Sequence, residues 1–197
     1  MRSGIICCAG FLCAGMLAVR GDVTLVAGGR SDYVIVTPAA ATPSQRYAAE
    51  ELQRFTAEMT GVRLPIQDDT GPLPSRAILL GHTRHSAALL GGAVDLAPLG
   101  DDGFRLKTAG GHLIILGSGV RGTLYGVYEV LERWGGCRWY STWQSVIPRH
   151  ETWVLPELDD TQTPAFVMRE PFWYDLFDGD LAARCRANGN RMDLQER

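Results

Sequence analysis

The glycine-rich stretch 117–122 matches the pattern GxGxxG, and it follows an apolar stretch and precedes a segment with helical periodicity. In that context the pattern is typical of a dinucleotide-binding loop, whose backbone N–H groups hold pyrophosphate at a helix N-terminus. Three observations count against this function. The preceding strand is predicted to pair in a hairpin, and the next strand ends without a carboxylate for the ribose. The N-terminal pattern described below also predicts a secreted protein, which would meet little dinucleotide. The alternative, which we favour, is a tight turn that lets a helix pack closely on a sheet.

Other chemically useful side chains lack partners at the spacing that catalysis or metal binding requires. His82 and His85 are three positions apart and could bind one metal ion from a single helical turn, but no third ligand is near them in sequence. No serine or cysteine lies in a nucleophile elbow. The adjacent carboxylates fall in predicted loops or on a helix surface, where we expect them to face water: Asp101-Asp102, Asp159-Asp160 and Glu50-Glu51. We therefore expect no catalytic residue, no metal site and no cofactor in this chain.

Aromatic residues are concentrated in two segments, 134–143 and 172–174. The rings of Trp and Tyr stack on sugars while their polar atoms form hydrogen bonds. Clustered aromatic residues also build cores and domain interfaces. Between these alternatives we favour an interface over ligand contact.

The composition is that of a folded globular protein of about one domain with some residues left over. Hydrophobic residues make up 46% of the 197 residues and charged residues 21%, and the formal net charge is −3. No run of positive charge indicates nucleic-acid binding, so we expect no nucleic-acid partner.

Residues 1–21 have the pattern of a secretory signal peptide. Arg2 supplies a positive start, and residues 5–19 form an uncharged stretch of about 15 residues, short for a membrane span. Cleavage is predicted after Gly21, with a retained anchor as the alternative. We therefore expect a secreted or periplasmic protein with no membrane contact beyond this segment.

Two of the five cysteines remain after that cleavage, Cys137 and Cys185. An oxidising compartment would allow them to pair. Two cysteines do not form a disulfide framework, however, so we favour two separate thiols.

Two helices are predicted with clear boundaries. Thr42, Pro43 and Gln45 together form the start signal and capping box of the first helix, and Gly61 is placed to end it. The second helix is predicted over residues 123–134. Strands or extended segments are predicted at 23–26, 33–36, 64–67, 77–80, 104–108, 112–116, 137–140, 146–148 and 153–155, with a hairpin joining 104–108 to 112–116 and a short helix at 83–91. Residues 159–164 are predicted to be a linker. These elements favour an α+β fold, with a mixed or antiparallel sheet and the two main helices on one face.

Three stretches of the sequence carry a family resemblance. They include residues 48–65, residues 102–105, and residues 121–148 with the pattern RGTLYGVYE followed by GCRWY. Together they resemble the N-terminal domain of bacterial α-glucuronidases and related large secreted glycoside hydrolases, over about residues 22–160. This domain is similar in fold to domain 2 of β-hexosaminidases.

The resemblance implies an α+β domain that precedes a (β/α)8 barrel, and the catalytic carboxylates of such enzymes lie in the barrel. Residues 161–197 would then be a linker and the truncated start of the barrel, with residues 166–169 as its first strand and residues 181–188 as its first helix. We expect residues beyond about 165 to be poorly packed or to expose an apolar patch. Substrate contact within this first unit is expected from four residues: Arg169, Trp173, Asn188 and Asn190.

The resulting hypothesis is a non-catalytic accessory domain, present as a fragment or truncated product, of a secreted hydrolase of polysaccharide or glucuronic-acid-bearing glycans. Its carbohydrate partner would be bound through a barrel domain outside this chain. A free-standing carbohydrate-binding module is the alternative, and it requires exposed rings such as Trp143. Dinucleotide binding through residues 117–122 is the third hypothesis.

Overall fold

The computed structural model describes residues 22–92, 94–117 and 120–189. The predicted signal peptide and Asn190 lie outside these residues. The strands are β1 (Val23–Val26), β2 (Val34–Thr37), β3 (Ile66–Asp68), β4 (Ala77–Leu80), β5 (Phe104–Ala109), β6 (His112–Gly117), β7 (Arg138–Trp139), β8 (Ser145–Val146), β9 (Trp153–Leu155) and β10 (Asp159–Gln162). The helices are α1 (Pro43–Thr60), α2 (Arg84–Leu89), α3 (Gly122–Arg133) and α4 (Gly179–Arg184), with 3-10 turns at Ala97–Leu99 and Tyr174–Phe177. Within the described ranges, no helix is long and apolar enough to cross a membrane.

A mixed six-stranded sheet is the centre of the fold, with the strand order β10-β5-β6-β4-β2-β3. Strands β3, β2, β4 and β6 run parallel, whereas β5 is antiparallel to both β6 and β10. The β5–β6 hairpin is confirmed, and its turn contains Gly110 and Gly111, both with positive φ. Two small antiparallel pairs, β1–β9 and β7–β8, lie outside this sheet. The α+β class with a mixed sheet is therefore confirmed.

The main core lies between the sheet and the two long helices, which lie on one face of the sheet as predicted and pack against each other. Alternate residues of the strands point to opposite faces. Ile78 and Leu80 of β4 therefore belong to the main core, and Leu79 between them belongs to a smaller cluster on the other face. That second cluster is covered by α2 and the residues after it, including Leu90 and Leu96.

Helix α1 begins and ends where its sequence signals predict. The Thr42 hydroxyl accepts a hydrogen bond from the Gln45 N–H, and the Gln45 side chain accepts one from the Thr42 N–H. Gly61 ends the helix in the left-handed conformation, with φ of 75°. The reciprocal bonds satisfy two N–H groups that the first helical turn leaves without partners.

The predicted linker at 159–164 is wrong, because residues 159–162 form the edge strand β10. Its Asp159 side chain pairs with basic residues on β5, and its Asp160 side chain pairs with Arg133 of α3. The Asp159 carboxylate lies 2.8 Å from Arg105 Nη2 and 2.7 Å from Lys107 Nζ. Its polar composition is similar to that of a loop, because an edge strand has only one neighbouring strand and needs few apolar residues.

The two cysteines are separate thiols, as favoured from the sequence. Cys137 is buried beside the Met59 sulfur, 3.6 Å away, whereas Cys185 is exposed. Burial is the main reason that the pKa of Cys137 is raised to about 12. It is therefore protonated and unreactive at neutral pH.

Candidate functional site: an anchored aromatic segment

Residues 166–189, called here the C-terminal segment, lie against the helical layer of the domain. Leu176, Leu181 and Ala187 are buried in the same core as α1 and α3. The Asp178 carboxylate caps α4 by accepting the Leu181 N–H at 2.8 Å. The expectation of poor packing is therefore wrong for residues 176–187, because their apolar side chains pack against the two long helices.

A buried carboxylate, Asp102, joins the C-terminal segment to the sheet. Its two oxygens accept from Arg121 Nε at 2.6 Å, Arg169 Nη2 at 2.6 Å and Asn188 Nδ2 at 2.7 Å. Asp102 is only 7% exposed, so its predicted orientation toward water is wrong. Burial alone would raise the pKa of Asp102, but the hydrogen bonds from the two arginines hold it below its ordinary value. The carboxylate is therefore an ion-pair partner and not a general acid.

Arg169 and Asn188 also close the C-terminal segment into a loop. The Asn188 N–H donates to the Arg169 carbonyl at 3.0 Å, and the Arg169 N–H donates to Asn188 Oδ1 at 2.7 Å. The Arg169 guanidinium further donates to the carbonyls of Phe166 and Arg186, and it lies 5.7 Å from the centre of the Tyr125 ring. These contacts hold the loop 170–187 on a fixed base.

A second buried carboxylate, Glu51 of α1, binds α4. Glu51 Oε2 accepts from Arg184 Nε at 3.1 Å and from the Tyr128 hydroxyl at 2.9 Å, and Oε1 lies 2.9 Å from Arg54 Nη2. Burial and the nearby Glu51 charge raise the pKa of Tyr128 well above its ordinary value. Its phenol is therefore neutral and donates. Glu51 is 4% exposed, so the expectation of a solvated surface is wrong for this residue.

A third contact is made by Arg186, which reaches two glutamates on α3. Its Nη2 atom lies 3.0 Å from Glu129 and 2.6 Å from Glu132. Three arginines of the segment thus bind acidic residues of the domain. Ion pairs of this kind fix orientation more than they add stability, so the segment has a defined position on the helices.

The outer side of the segment exposes large apolar side chains, as the sequence predicted. Phe172 is 98% exposed and Val167 is 92% exposed. The ring centroids of Phe172 and Phe177 are 6.5 Å apart, and those of Tyr174 and Phe177 are 6.0 Å apart. We call this surface the aromatic face; its members are Phe166, Val167, Met168, Phe172, Trp173, Tyr174 and Phe177.

The four predicted substrate-binding residues have different surroundings. Arg169 and Asn188 lie together, and both donate to Asp102. Trp173 precedes the 3-10 turn on the aromatic face and is partly exposed. Asn190 lies outside the described residues. Substrate contact by these four residues stays a prediction. Sequence reasoning did not identify Asp102, Glu51 or Arg184 as site residues, although the family stretches 48–65 and 102–105 contain Glu51 and Asp102.

The glycine-rich stretch is a close-packing turn over its described residues. A Cβ atom on Gly122 would lie 2.1 Å from the Gly103 carbonyl oxygen, and one on Gly117 would lie 2.1 Å from the Thr123 nitrogen. The N–H groups of Arg121 and Gly122 donate to the Asp101 carbonyl at 3.1 and 3.0 Å. These N–H groups at the start of α3 are occupied by protein, which favours the tight-turn alternative over pyrophosphate binding; residues 118–119 lie outside the described ranges.

The histidines and acidic residues of the described ranges form no group of three that would suit a metal ion. His82 is exposed, and His85 lies on the first turn of α2. Asp69 is nearly buried, but its carboxylate accepts the N–H groups of Ala39 and Arg84 at 2.9 and 2.8 Å. It therefore stabilises the backbone around α2.

Comparison with known proteins gives a family for this fold. Residues 30–130, about half of the chain, match the family described as glycosyl hydrolase family 67 N-terminus. Over 87 residues the chain is 37% identical to alpha-glucuronidase A of Emericella nidulans, covering 44% of this chain and 10% of that protein. It is 34% identical over 84 residues to probable alpha-glucuronidase A of Aspergillus terreus, covering 43% and 10%. The matched region thus spans about a tenth of the length of these relatives.

Among solved structures, an alpha-glucuronidase shares the fold. A family GH115 4-O-methyl-alpha-glucuronidase with specificity for decorated arabinogalactans has a TM-score of 0.58 and 20% identity. The match covers 84% of this chain and 25% of that one. The GH20 beta-N-acetylhexosaminidase of Streptomyces coelicolor has a TM-score of 0.47 and 17% identity, covering 75% and 24%. On the match over residues 30–130, the chain belongs to the glycosyl hydrolase family 67 N-terminus family.

Proposed function

We propose that this chain is the non-catalytic N-terminal accessory part of a secreted glycoside hydrolase that acts on polysaccharides or glucuronic-acid-bearing glycans. Family membership and the names of the two α-glucuronidase relatives support this assignment. Those relatives are about ten times longer than the region they share with this chain. Their remaining length has room for a complete catalytic barrel, which typically needs about 250 residues.

The observation that carries the proposal is the aromatic face on its fixed base. Exposed large apolar side chains close together on a protein surface mark an interaction site, and fully burying a Phe side chain contributes about 1.5–3 kcal/mol. Ion pairs through Arg169, Arg184 and Arg186 hold this face in place before any partner binds. Five of its seven members are Phe, Val or Met and carry no strong hydrogen-bonding group, which suits a protein interface. The catalytic domain is the partner that we assign to it.

The acidic residues near this face act in support of that docking. Asp102, Glu51 and Glu129 each form an ion pair with an arginine of the C-terminal segment. A carboxylate that is ionised and fully paired is poorly suited to the general acid step of glycoside hydrolysis. We therefore infer that the catalytic carboxylates belong to the partner domain.

The test compares the isolated 197-residue chain with the native protein, purified from its source with an antibody against this chain. The native protein should release glucuronic acid from glucuronoxylan oligosaccharides, and the isolated chain should release none. A native mass of no more than 21.5 kDa, the mass of this chain, together with no hydrolysis by the native protein would contradict the proposal.

The docking step is tested with Phe172→Ser, made in the isolated chain and in the complete gene. Because Phe172 is 98% exposed, the melting temperature of the isolated chain should stay unchanged. In the native protein the same change should remove about 2 kcal/mol of buried apolar contact and lower the melting temperature. Trp143→Ala is the matched control, since Trp143 is an exposed ring outside the C-terminal segment. Equal changes of the melting temperature of the native protein in the two variants would argue against docking at the aromatic face.

A further inference from the structure

The β7–β8 hairpin carries a second exposed aromatic surface, separate in sequence from the C-terminal segment. Its strands pair through Trp139 and Ser145, and the N–H groups of Tyr140 and Ser141 both donate to the Gln144 carbonyl, at 3.0 and 3.2 Å. These bonds make a tight tip of residues 140–145, called here the hairpin tip. Trp143 at this tip is 81% exposed, and Tyr140 is 54% exposed.

The hairpin tip is held rigidly by the strand residue just before it. The Trp139 ring is buried, with its centroid 5.1 Å from that of Phe55 on α1 and 5.4 Å from that of Tyr128 on α3. Both contacts are edge-to-face, which is a favourable geometry for aromatic pairs. The exposed rings are thus presented on a fixed support, which lowers the entropy cost of binding a ligand.

The chemistry of the hairpin tip differs from that of the aromatic face. Residues 140–145 read Tyr-Ser-Thr-Trp-Gln-Ser, so two rings are accompanied by hydroxyl and amide side chains and no charge is present. The charged residue just before the tip on β7 is Arg138, and its guanidinium donates to the carbonyls of Glu132 and Cys137 at 2.7 and 2.6 Å. The tip therefore combines apolar ring faces with uncharged hydrogen-bonding groups.

This combination matches an uncharged pyranose, which has an apolar C–H face and a rim of hydroxyl groups. A protein partner would be favoured by a larger, more apolar patch of the kind found on the aromatic face. A polyuronate would be favoured by free arginines or lysines at the tip. We propose that the hairpin tip is an auxiliary binding site for an uncharged pyranose chain, with the sugar stacked on Trp143 and supported by Tyr140. The site is independent of the docking surface proposed above.

Isothermal titration calorimetry of the 197-residue chain with xylohexaose tests this site. We expect saturable binding that Trp143→Ala weakens by at least about fivefold, a conservative value for the loss of one stacked ring. Phe172→Ala is the matched control, because Phe172 is an exposed ring on the aromatic face. The affinity of this variant for xylohexaose should equal that of the unchanged chain. Raising the salt concentration to about 1 M should leave the affinity unchanged, since the ligand carries no charge.

Three results would overturn the inference. One is the absence of saturable heat at millimolar xylohexaose. Another is equal affinity of the Trp143→Ala variant and the unchanged chain. The third is a loss of affinity in Phe172→Ala but not in Trp143→Ala, which would move sugar binding to the aromatic face. None of them would remove the accessory role proposed above, which is tested by hydrolysis and docking in the native protein.

Discussion

The Asp102 carboxylate offers the sharpest test of how the C-terminal segment is held. Asp102→Asn keeps the shape of the side chain but removes its charge, and it turns one of its two acceptor oxygens into a donor. The native carboxylate is 7% exposed and binds Arg121, Arg169 and Asn188 at 2.6–2.7 Å. The substitution leaves two partly buried arginines facing an amide, and at least one of their hydrogen bonds is lost.

Breaking one side of a buried ion pair typically costs roughly 3–5 kcal/mol of unfolding free energy. Asparagine still accepts one hydrogen bond, so we expect a cost near the lower end, about 3 kcal/mol. For a chain of this size, each kcal/mol lowers the melting temperature by about 2–4 °C, which predicts a fall of roughly 6–12 °C. Urea unfolding and thermal unfolding, both followed by circular dichroism, measure the two quantities.

Asp159→Asn is the matched control for this prediction. Asp159 also pairs with two basic residues, Arg105 and Lys107, but its side chain is 53% exposed. Exposed pairs contribute less than about 1 kcal/mol, so the control should change the melting temperature little. Equal losses in both variants, or a loss below about 1 kcal/mol in Asp102→Asn, would refute the reasoning that burial makes the Asp102 cluster an anchor.

Three further predictions follow from single contacts. The pKa of Asp102 is lower in the folded protein than in the unfolded chain, so its stabilisation should be complete above about pH 5 and be lost as the pH falls through the lowered pKa; Asp102→Asn should flatten that part of the acid unfolding profile. Gly122→Ala should cost about 1–3 kcal/mol, because the added Cβ would lie 2.1 Å from a carbonyl oxygen. Gly71→Ala, where nothing lies within 4 Å, should be close to neutral in the same urea assay, and similar costs would contradict the packing argument. In the chain from residue 22 onward, a thiol reagent should label Cys185 and leave Cys137 unlabelled until the protein unfolds; labelling of both in the folded protein would contradict the buried position of Cys137.

Local sequence signals account for the parts of this fold that depend on neighbouring residues. The capping box of Thr42 and Gln45, the left-handed Gly61 and the β5–β6 hairpin are all present where the sequence predicts them. Each depends on contacts within a few positions along the chain, which a pattern of residue types records directly. The helix-on-sheet arrangement follows from the same apolar periodicity.

The candidate site depends on contacts between distant residues, and the sequence does not show these. Asp102 meets Arg169 across 67 positions, and Glu51 meets Arg184 across 133 positions. A carboxylate beside another carboxylate normally faces water, so only the folded structure shows that Asp102 and Glu51 are buried. The edge strand β10 was missed for a related reason: its charges pair with residues of β5 and α3 that are distant in sequence.

Amide hydrogen exchange of residues 170–177 tests the central claim most directly. In the isolated chain this loop should exchange faster than α3, because its hydrogen bonds are those of a short turn near the surface whereas α3 is a long helix within the core. In the native protein we expect residues 170–177 to become protected, because the proposed catalytic partner domain would cover the aromatic face. Equal, fast exchange of this loop in both proteins would show that the face is uncovered, and would contradict the docking role of the C-terminal segment.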